Sequence, residues 1–342
     1  MGGRLRLAVM GPGIYWNKAH RPALARRDDV EVVAFCASSD RRRAEVAAAF
    51  PGRPFYTDAD AFLAEVAADA VLLTLPLPLN GPMAARALEA GHDVIVEKPL
   101  ARSAAEAFAL ASRAEAEGRQ LMVAEQLAYA PILAEIRARL DAGAIGRPVV
   151  FDMVTHIRLD ASHPDGYGRG WRKEADFPLG ALFDGGVHQI AIQSRLFGPH
   201  RRVYARGTSL REGFGEFDHV LMHFAFDGGF CGTFSHAGSI DGPRNHFHIH
   251  GTEGLIDVEG DAFTLLRPSA APQRVVVEGD DARTTMWTHL LARLRDGAPP
   301  AYSAFDAAGD VATLEAVAAS CRTGRSVDIG PGEAPGPADR PC

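Results

Sequence analysis

The sequence predicts an α/β protein with two domains: a doubly wound parallel sheet, then an α/β domain whose open mixed sheet is largely antiparallel. Strand and helix signals alternate over roughly the first 120 residues, which is typical of a parallel sheet with helices on both faces. Beyond that point the strands alternate with a period of two and are separated by turns such as "DGG". We therefore expect domains at 1–123 and 124–330. A tail rich in Pro and Gly, 331–342, is predicted to be disordered.

Composition excludes several classes of protein. The chain has 342 residues, is 47% hydrophobic and 23% charged, and carries a formal net charge of −7, as an ordinary globular protein does. No basic face indicates nucleic-acid binding, and no apolar run indicates a membrane span or a cleaved leader. The 4 cysteines are dispersed, without a CxxC pair or a His spacing that suggests zinc. We expect a cytoplasmic protein with reduced thiols and no metal.

The first element with chemical content is the turn after "LRLAVM", which contains Gly11 and Gly13. A glycine pair lets the backbone approach a pyrophosphate, which then lies at the following helix N-terminus. Alone, such a pair is weak evidence. Ile14, Tyr15 and Trp16 follow where a small residue usually stands, so we expect the turn to bulge by one residue. The bulge would direct Tyr15 or Trp16 towards the nicotinamide; the alternative is that Trp16 packs between the domains.

The end of the second strand, "CASSDRRR", bears on which dinucleotide binds. An acidic residue there would favour NAD, but Ser38 takes that position and is followed by Ser39 and several arginines, including Arg43. Hydroxyl and guanidinium groups suit a 2′-phosphate, so NADP is favoured over NAD. Two alternatives stay open: a capped helix with a charged outer face, and Asp40 acting as the acid.

Two further motifs suggest catalysis. "VIVEKPLA" puts Glu97 and Lys98 directly after a parallel strand, where ligands of such sheets bind. "GALFDGGVHQI" spaces Asp184 and His188 by four residues, so that on a helix the carboxylate could orient the imidazole as a general acid or base. Taken singly, the lysine is as consistent with surface exposure, and the Asp/His pair with a structural role.

Together the three motifs resemble those of the Gfo/Idh/MocA family of oxidoreductases, in order and spacing over almost the whole chain. The resemblance implies a Rossmann domain that binds NAD(P) and a C-terminal domain that binds a sugar, cyclitol or related polyol or its ketone. Lys98 matches the lysine that contacts the reacting oxygen. Asp184 and His188 match the family's second motif, in which the histidine transfers the proton. The chain departs from the family pattern at Asn80, Ala128 and Ala191, where histidine, arginine and a polar residue are common.

These considerations give two sets of expected binding residues beside the catalytic Lys98, Asp184 and His188. The expected cofactor contacts are Gly11, Gly13, Ile14, Tyr15, Trp16, Ser38, Ser39, Arg43, Leu75, Pro76, Asn80, Glu97 and Lys98. The expected substrate contacts are Glu125, Gln126, His156, Tyr167, Trp171 and Arg172, each of which has a packing or surface role as its alternative.

The predicted function is hydride transfer between NAD(P) and a sugar-like or cyclitol alcohol or ketone. One alternative is a redox-neutral enzyme that retains its NAD(P), such as an epimerase, lyase or glycosidase. A less favoured alternative is a dinucleotide-binding sensor without catalysis, because such proteins usually lose the lysine or the histidine. The broad open sheet and the family resemblance together predict a homo-dimer or homo-tetramer.

Overall fold

The computed structural model describes residues 3–159, 179, 180, 182–212 and 214–330. The predicted tail lies outside these residues. So do three of the predicted substrate contacts, Tyr167, Trp171 and Arg172.

The chain divides into two compact units. The first comprises Met1–Tyr129 with Ala282–Ala308, and the second comprises Ala130–Asp281 with Gly309–Cys342. The predicted division between residues 123 and 124 does not include the return of 282–308 to the first unit; as a boundary between functions it stays a prediction.

The strands and helices have the following bounds. The described strands are β1 (Leu5–Met10), β2 (Val30–Cys36), β3 (Phe55–Tyr56), β4 (Ala70–Leu73), β5 (Val94–Glu97), β6 (Leu121–Ala124), β7 (Pro148–Arg158), β8 (Arg202–Thr208), β9 (His219–Ala225), β10 (Cys231–Ala237), β11 (Ser239–Gly251), β12 (Leu255–Glu259), β13 (Ala262–Leu266), β14 (Gln273–Val276) and β15 (Val327–Asp328). The described α-helices are α1 (Arg21–Leu24), α2 (Asp40–Ala49), α3 (Ala59–Glu65), α4 (Leu77–Glu89), α5 (Ala104–Ala116), α6 (Pro131–Asp141), α7 (Val187–Phe197), α8 (Ala282–Asp296) and α9 (Ala304–Thr323). Short π-helical segments occupy Trp16–His20 and Leu182–Gly186, and 3-10 segments occupy Gln126–Tyr129 and Asp227–Gly229.

The first unit is built on a parallel sheet in the order β3-β2-β1-β4-β5-β6. Every residue of β4, β5 and β6 is buried, as expected for strands covered on both faces. From β1 the chain adds β2 and β3 on one side of the sheet, and then β4, β5 and β6 on the other side. Between β1 and β4, where the order changes sides, a crevice opens beyond the carboxyl ends of the strands. The predicted doubly wound fold is confirmed.

The second unit is built on a mixed sheet in the order β14-β13-β12-β11-β7-β10-β9-β8-β15. β7 and β10 pair in parallel, while the other described neighbours pair antiparallel, so the predicted open and largely antiparallel sheet is also confirmed. Helix α7 covers one face: Phe151 of β7 stacks on Phe197, with ring centroids 5.2 Å apart. Side chains of the other face alternate with these along each strand.

The helix after the glycine turn corrects the prediction for Trp16. The chain is helical from Ile14, and Trp16–His20 form a π-helical turn, which accommodates an extra residue within the helix. The Trp16 ring is only 2% exposed and packs edge-on against Phe35 of β2, with Phe50 beside it. The ring therefore lies inside the first unit, between helix and sheet. A ring buried in this position does not face the open edge of the sheet.

Replacing this core ring should destabilise the first unit. We expect Trp16→Ala to lower the free energy of unfolding by about 3–5 kcal/mol, because a large buried ring leaves a cavity. Ile14→Ala, a control in the same helix whose side chain is 47% exposed, should change it by less than about 0.5 kcal/mol. Urea denaturation of the whole chain would measure both, and equal small losses would contradict the packing described for Trp16.

Candidate active site

The carboxyl ends of the parallel strands bring most of the predicted dinucleotide residues to one edge of the first unit. Each group follows directly from the strand before it, since parallel strands all end at the same edge. The predicted residues at this edge are Gly11, Gly13, Ile14 and Tyr15 after β1; Ser38 and Ser39 after β2; Leu75 and Pro76 after β4; Glu97 and Lys98 at the end of β5; and Glu125 and Gln126 after β6.

The glycine turn is compact and is bonded to the neighbouring strand. Gly11 has φ +83°, and a Cβ there would lie 2.7 Å from Leu75 Cδ2 and 2.9 Å from the Thr74 carbonyl oxygen, so only glycine fits. The Thr74 hydroxyl donates to the Gly11 carbonyl oxygen over 2.6 Å. A Cβ on Gly13 would meet Gly11 O only at 3.6 Å and Arg42 Nη2 at 4.0 Å. The space above Gly13 is therefore open for a close approach by a pyrophosphate, and the helix begins directly after it.

Buried polar side chains hold the segment that carries Lys98. The Asn80 amide donates to the carbonyl oxygens of Glu97 and Pro99, each over 2.9 Å, and Asn80 is only 1% exposed. His20 Nε2 lies 2.6 Å from Glu97 Oε1 in the same buried layer, and the Lys98–Pro99 peptide is cis. These bonds fix the backbone on both sides of Lys98. Asn80 and Glu97, predicted as cofactor contacts, thus have structural partners beneath the open edge.

Tyr15 lies in the helical turn that follows Gly13. Its ring meets His20 edge-on, with centroids 5.6 Å apart. Burial, together with the negative charge of Glu97, raises the pKa of Tyr15 to about 12, although Lys98 and a hydrogen bond with Arg283 act in the opposite direction. Tyr15 therefore keeps its phenolic proton at neutral pH. Arg283, in α8, was missed by sequence reasoning because it lies far along the chain, without a motif.

The second strand leads to groups that suit a phosphate. Ser39 is at the N-cap of α2, but its side chain makes no capping hydrogen bond, so the alternative of a capping serine is not supported. Arg42 lies nearest the glycine turn and pairs with Glu45 over 2.5 Å. Arg43, the predicted contact, is exposed and lies over the Phe55 ring at 5.2 Å. Its distance from the glycine turn makes Arg42 a better candidate than Arg43 for a phosphate contact. The spacing of residues in the sequence did not distinguish the two.

Glu125 and Gln126 occupy the turn after β6. Glu125 is 1% exposed, and its Oε1 accepts a hydrogen bond from the Leu127 backbone N–H over 3.0 Å. Gln126 is half-buried in the 3-10 segment that follows. The Glu125 carboxylate therefore shapes its own turn. Substrate contact by either residue stays a prediction.

In the second unit, Asp184 and His188 lie on one continuous helical path. Asp184 is buried within the π-helical turn Leu182–Gly186, and His188 is half-buried in the first turn of α7. A Cβ at Gly186 would lie 2.2 Å from Leu182 Cδ1 in the same π-helical turn, so that side chain would have to move, whereas the His236 ring of the sheet, at 3.5 Å, would be in ordinary contact. The helical path predicted from the spacing is thus present, with a π-helical turn that was not expected.

His156, a predicted substrate contact, is on β7. Phe151 and Met153 of this strand contact α7, so alternation puts His156 on the opposite face of the sheet. There its Nε2 lies 2.9 Å from Ser235 Oγ. Burial, and the positive potential of His219, lower the pKa of His156 below its ordinary value. Within this unit His156 is therefore separated by the sheet from the helix that carries His188.

Both halves of the chain match known families. Residues 5–125 match the oxidoreductase family with an NAD-binding Rossmann fold, and residues 133–257 match the GFO/IDH/MocA C-terminal domain. No helix in the described part of the chain combines the length and the apolarity that crossing a bilayer requires.

Individual relatives agree with this assignment. The chain is 26% identical to D-apiose dehydrogenase of Paraburkholderia graminis, over 98% of this chain and 92% of that protein. It is 23% identical to an NADP-dependent scyllo-inositol 2-dehydrogenase of Bacillus subtilis, over 94% and 95% respectively. A solved oxidoreductase of Thermotoga maritima superposes with a TM-score of 0.88 at 26% identity, covering 95% of this chain and 98% of that one. The chain therefore belongs to the GFO/IDH/MocA family of oxidoreductases, with an NAD-binding Rossmann domain.

Proposed function

We propose that this protein is an NAD(P)-dependent dehydrogenase of sugar-like or cyclitol alcohols, with Lys98 and His188 acting on the substrate oxygen. The observation that carries the proposal is the edge at which β1, β4 and β5 end. There the space above Gly13 is open, and buried hydrogen bonds hold the backbone on both sides of Lys98. A dinucleotide fits the open glycine turn, and a lysine held in this way suits an oxygen that gains charge during reaction.

The residues divide the chemistry between them. The glycine turn would hold a bound dinucleotide, whose nicotinamide would supply the hydride exchange with the substrate carbon. The Lys98 ammonium stabilises negative charge on the oxygen at that carbon, and His188 takes up or returns the proton, with Asp184 orienting its ring. The Tyr15 hydroxyl keeps its proton at neutral pH and so offers a further hydrogen-bond donor.

The substrate class rests on the relatives. Those matched over most of their length include enzymes named for D-apiose, D-xylose and scyllo-inositol, all polyhydroxylated. Ala191, where a polar residue is common in the family, is fully buried in α7 and offers no hydrogen bond to a substrate. These two facts support a sugar-like or cyclitol alcohol other than the commonest inositol or glucose substrates.

NADP is the proposed cofactor, in preference to NAD. Ser38 and Ser39 offer hydroxyl groups after β2, and Arg42 Nη2 lies 4.0 Å from the position of a Cβ on Gly13. A guanidinium group there can bind two oxygens of a 2′-phosphate. Among the relatives are both NADP- and NAD-dependent enzymes, so the preference depends on these side chains.

The two glycines should differ in what they support. Gly11→Ala should lower both thermal stability and NADPH affinity, because the new methyl group meets Leu75 and Thr74 at a positive φ. Gly13→Ala should keep the stability but weaken NADPH at least about tenfold, since its methyl group enters the space left for the pyrophosphate. Thermal melts and NADPH fluorescence titration would test both. Unchanged NADPH binding by Gly13→Ala would contradict the proposed cradle.

The catalytic assignment is tested by Lys98→Ala and His188→Ala, assayed with D-apiose, D-xylose and scyllo-inositol in the presence of NADP⁺. Each change should lower kcat/KM by roughly a hundredfold or more while His188→Ala keeps its NADPH affinity, because proton transfer and charge stabilisation are lost. His223→Ala, on the exposed face of β9, is the control. Full rates in both catalytic variants would refute the roles of Lys98 and His188. Turnover without net NADPH formation would instead indicate the redox-neutral alternative.

The cofactor preference is tested by Arg42→Ala with Arg41→Ala as its matched control. The two side chains are neighbours, but Arg42 is 17% exposed beside the turn and Arg41 is 74% exposed. Arg42→Ala should weaken NADPH by about tenfold and leave NADH unchanged, since only NADPH carries the 2′-phosphate. Equal changes for NADPH and NADH, or none, would show that Arg42 does not select NADP.

A further inference from the structure

A row of polar side chains crosses the face of the second sheet that α7 leaves uncovered. Pairing registers put one residue of each strand, from β14 to β8, into this row. Its members are Arg274, Thr264, Asp257, His248, Asp152, Thr233, His223 and Tyr204. His246, two residues before His248 on β11, adds a second imidazole beside the row.

Three of these side chains converge on one point. One ring nitrogen each of His246 and His248 and one carboxylate oxygen of Asp152 all lie within 4.8 Å of one another. His246 Nε2 is 2.7 Å from Asp152 Oδ2, and the two imidazole rings are stacked with centroids 4.8 Å apart. We propose that Asp152, His246 and His248 bind one divalent transition-metal ion of the Zn²⁺ type.

The donor set suits such an ion. Two imidazoles and one carboxylate are ligands that Zn²⁺ accepts at about 2.0–2.2 Å, with a fourth position left for water or another ligand. Imidazole also selects for zinc, copper and nickel over magnesium and calcium, which prefer oxygen donors. Side-chain rotation alone can close the ligand atoms around the ion, because the three residues stand on two adjacent, paired strands.

Neighbouring side chains already orient two of the ligands. The Thr233 hydroxyl donates to Asp152 Oδ1 over 2.6 Å and leaves Oδ2 directed at His246. The Asp257 carboxylate lies 3.2 Å from His248 Nε2. Hydrogen bonds of this kind fix ligand orientation around metals and commonly change affinity by about 10–100-fold.

The site is distinct from the proposed catalytic residues of the same unit. Phe151 and Met153 contact α7, so Asp152 between them faces away from the helix that carries His188. A bound ion would join β7 to β11 and would not reach His188 through the sheet. We expect it to stabilise the second unit without taking part in hydride transfer.

The experiment is Zn²⁺ titration of the metal-free full-length protein by calorimetry, with Co²⁺ absorption as a report on coordination. Wild type should bind one ion per chain at this site, and the Co²⁺ spectrum should show nitrogen and oxygen ligands in fewer than six positions. Asp152→Asn and His246→Ala should each weaken Zn²⁺ by about a hundredfold or abolish binding, and Thr233→Val should weaken it by about tenfold. Zn²⁺ should raise the Tm of wild type but not that of the two ligand variants.

The control is His223→Ala, which removes an exposed histidine from the same row and should leave Zn²⁺ affinity unchanged. Melting of each variant without metal shows that it folds, so a lost affinity is not mistaken for unfolding. The proposal is overturned if wild type binds no stoichiometric Zn²⁺. It is equally overturned if Asp152→Asn and His246→Ala bind as wild type does, which would be adsorption to scattered histidines.

Discussion

The candidate dinucleotide site depends on side-chain hydrogen bonds that join the carboxyl ends of β1, β4 and β5. Thr74, at the end of β4, bonds to the carbonyl of Gly11 after β1, and Asn80, in α4, bonds to the carbonyls on both sides of Lys98. The Gly11 and Pro99 carbonyl groups lie beyond the strands, and Glu97 is the last residue of β5. Satisfying them with buried donors costs little and locks three loops into one arrangement. The glycine turn and the lysine are thereby held by the same strand and the helix that follows it.

This framework explains an unusual feature of the glycine turn. A residue as large as Trp16 close after Gly13 would be expected to push the turn outwards. The π-helical segment instead places the extra residue in the helix, where the Trp16 ring packs on Phe35 and the Tyr15 ring on His20. Segments of this kind are often found at functional sites, because they re-aim one side chain without disturbing the rest of the helix. His20, at the end of this segment, then reaches Glu97.

The sequence alone predicted both sheets and the edge at which the dinucleotide residues gather, because these follow from periodicity and from the geometry of parallel strands. It did not predict which guanidinium lies at the turn, since Arg42 and Arg43 differ only by rotation about α2. It also missed Arg283, whose contact with Tyr15 depends on the return of 282–308 to the first unit. The predicted direction of the Trp16 side chain was wrong because it depends on the π-helical turn. A π-helical turn leaves no signal in hydrophobic spacing.

The cluster of Asp152, His246 and His248 in the second sheet likewise depends on contacts that the sequence alone does not show. The spacing of His246 and His248 puts two imidazoles on one face of β11. Asp152 is far from them in sequence, and nothing in the sequence shows that its strand pairs beside theirs. Their approach depends on the register in which β11 pairs with β7, and a slip of one residue would turn His246 and His248 into the core and Phe247 outwards. The buried Phe247 and Ile249 oppose such a slip, because exposing them would lose apolar burial. Core packing on one face of the sheet therefore holds in place the polar cluster on the other.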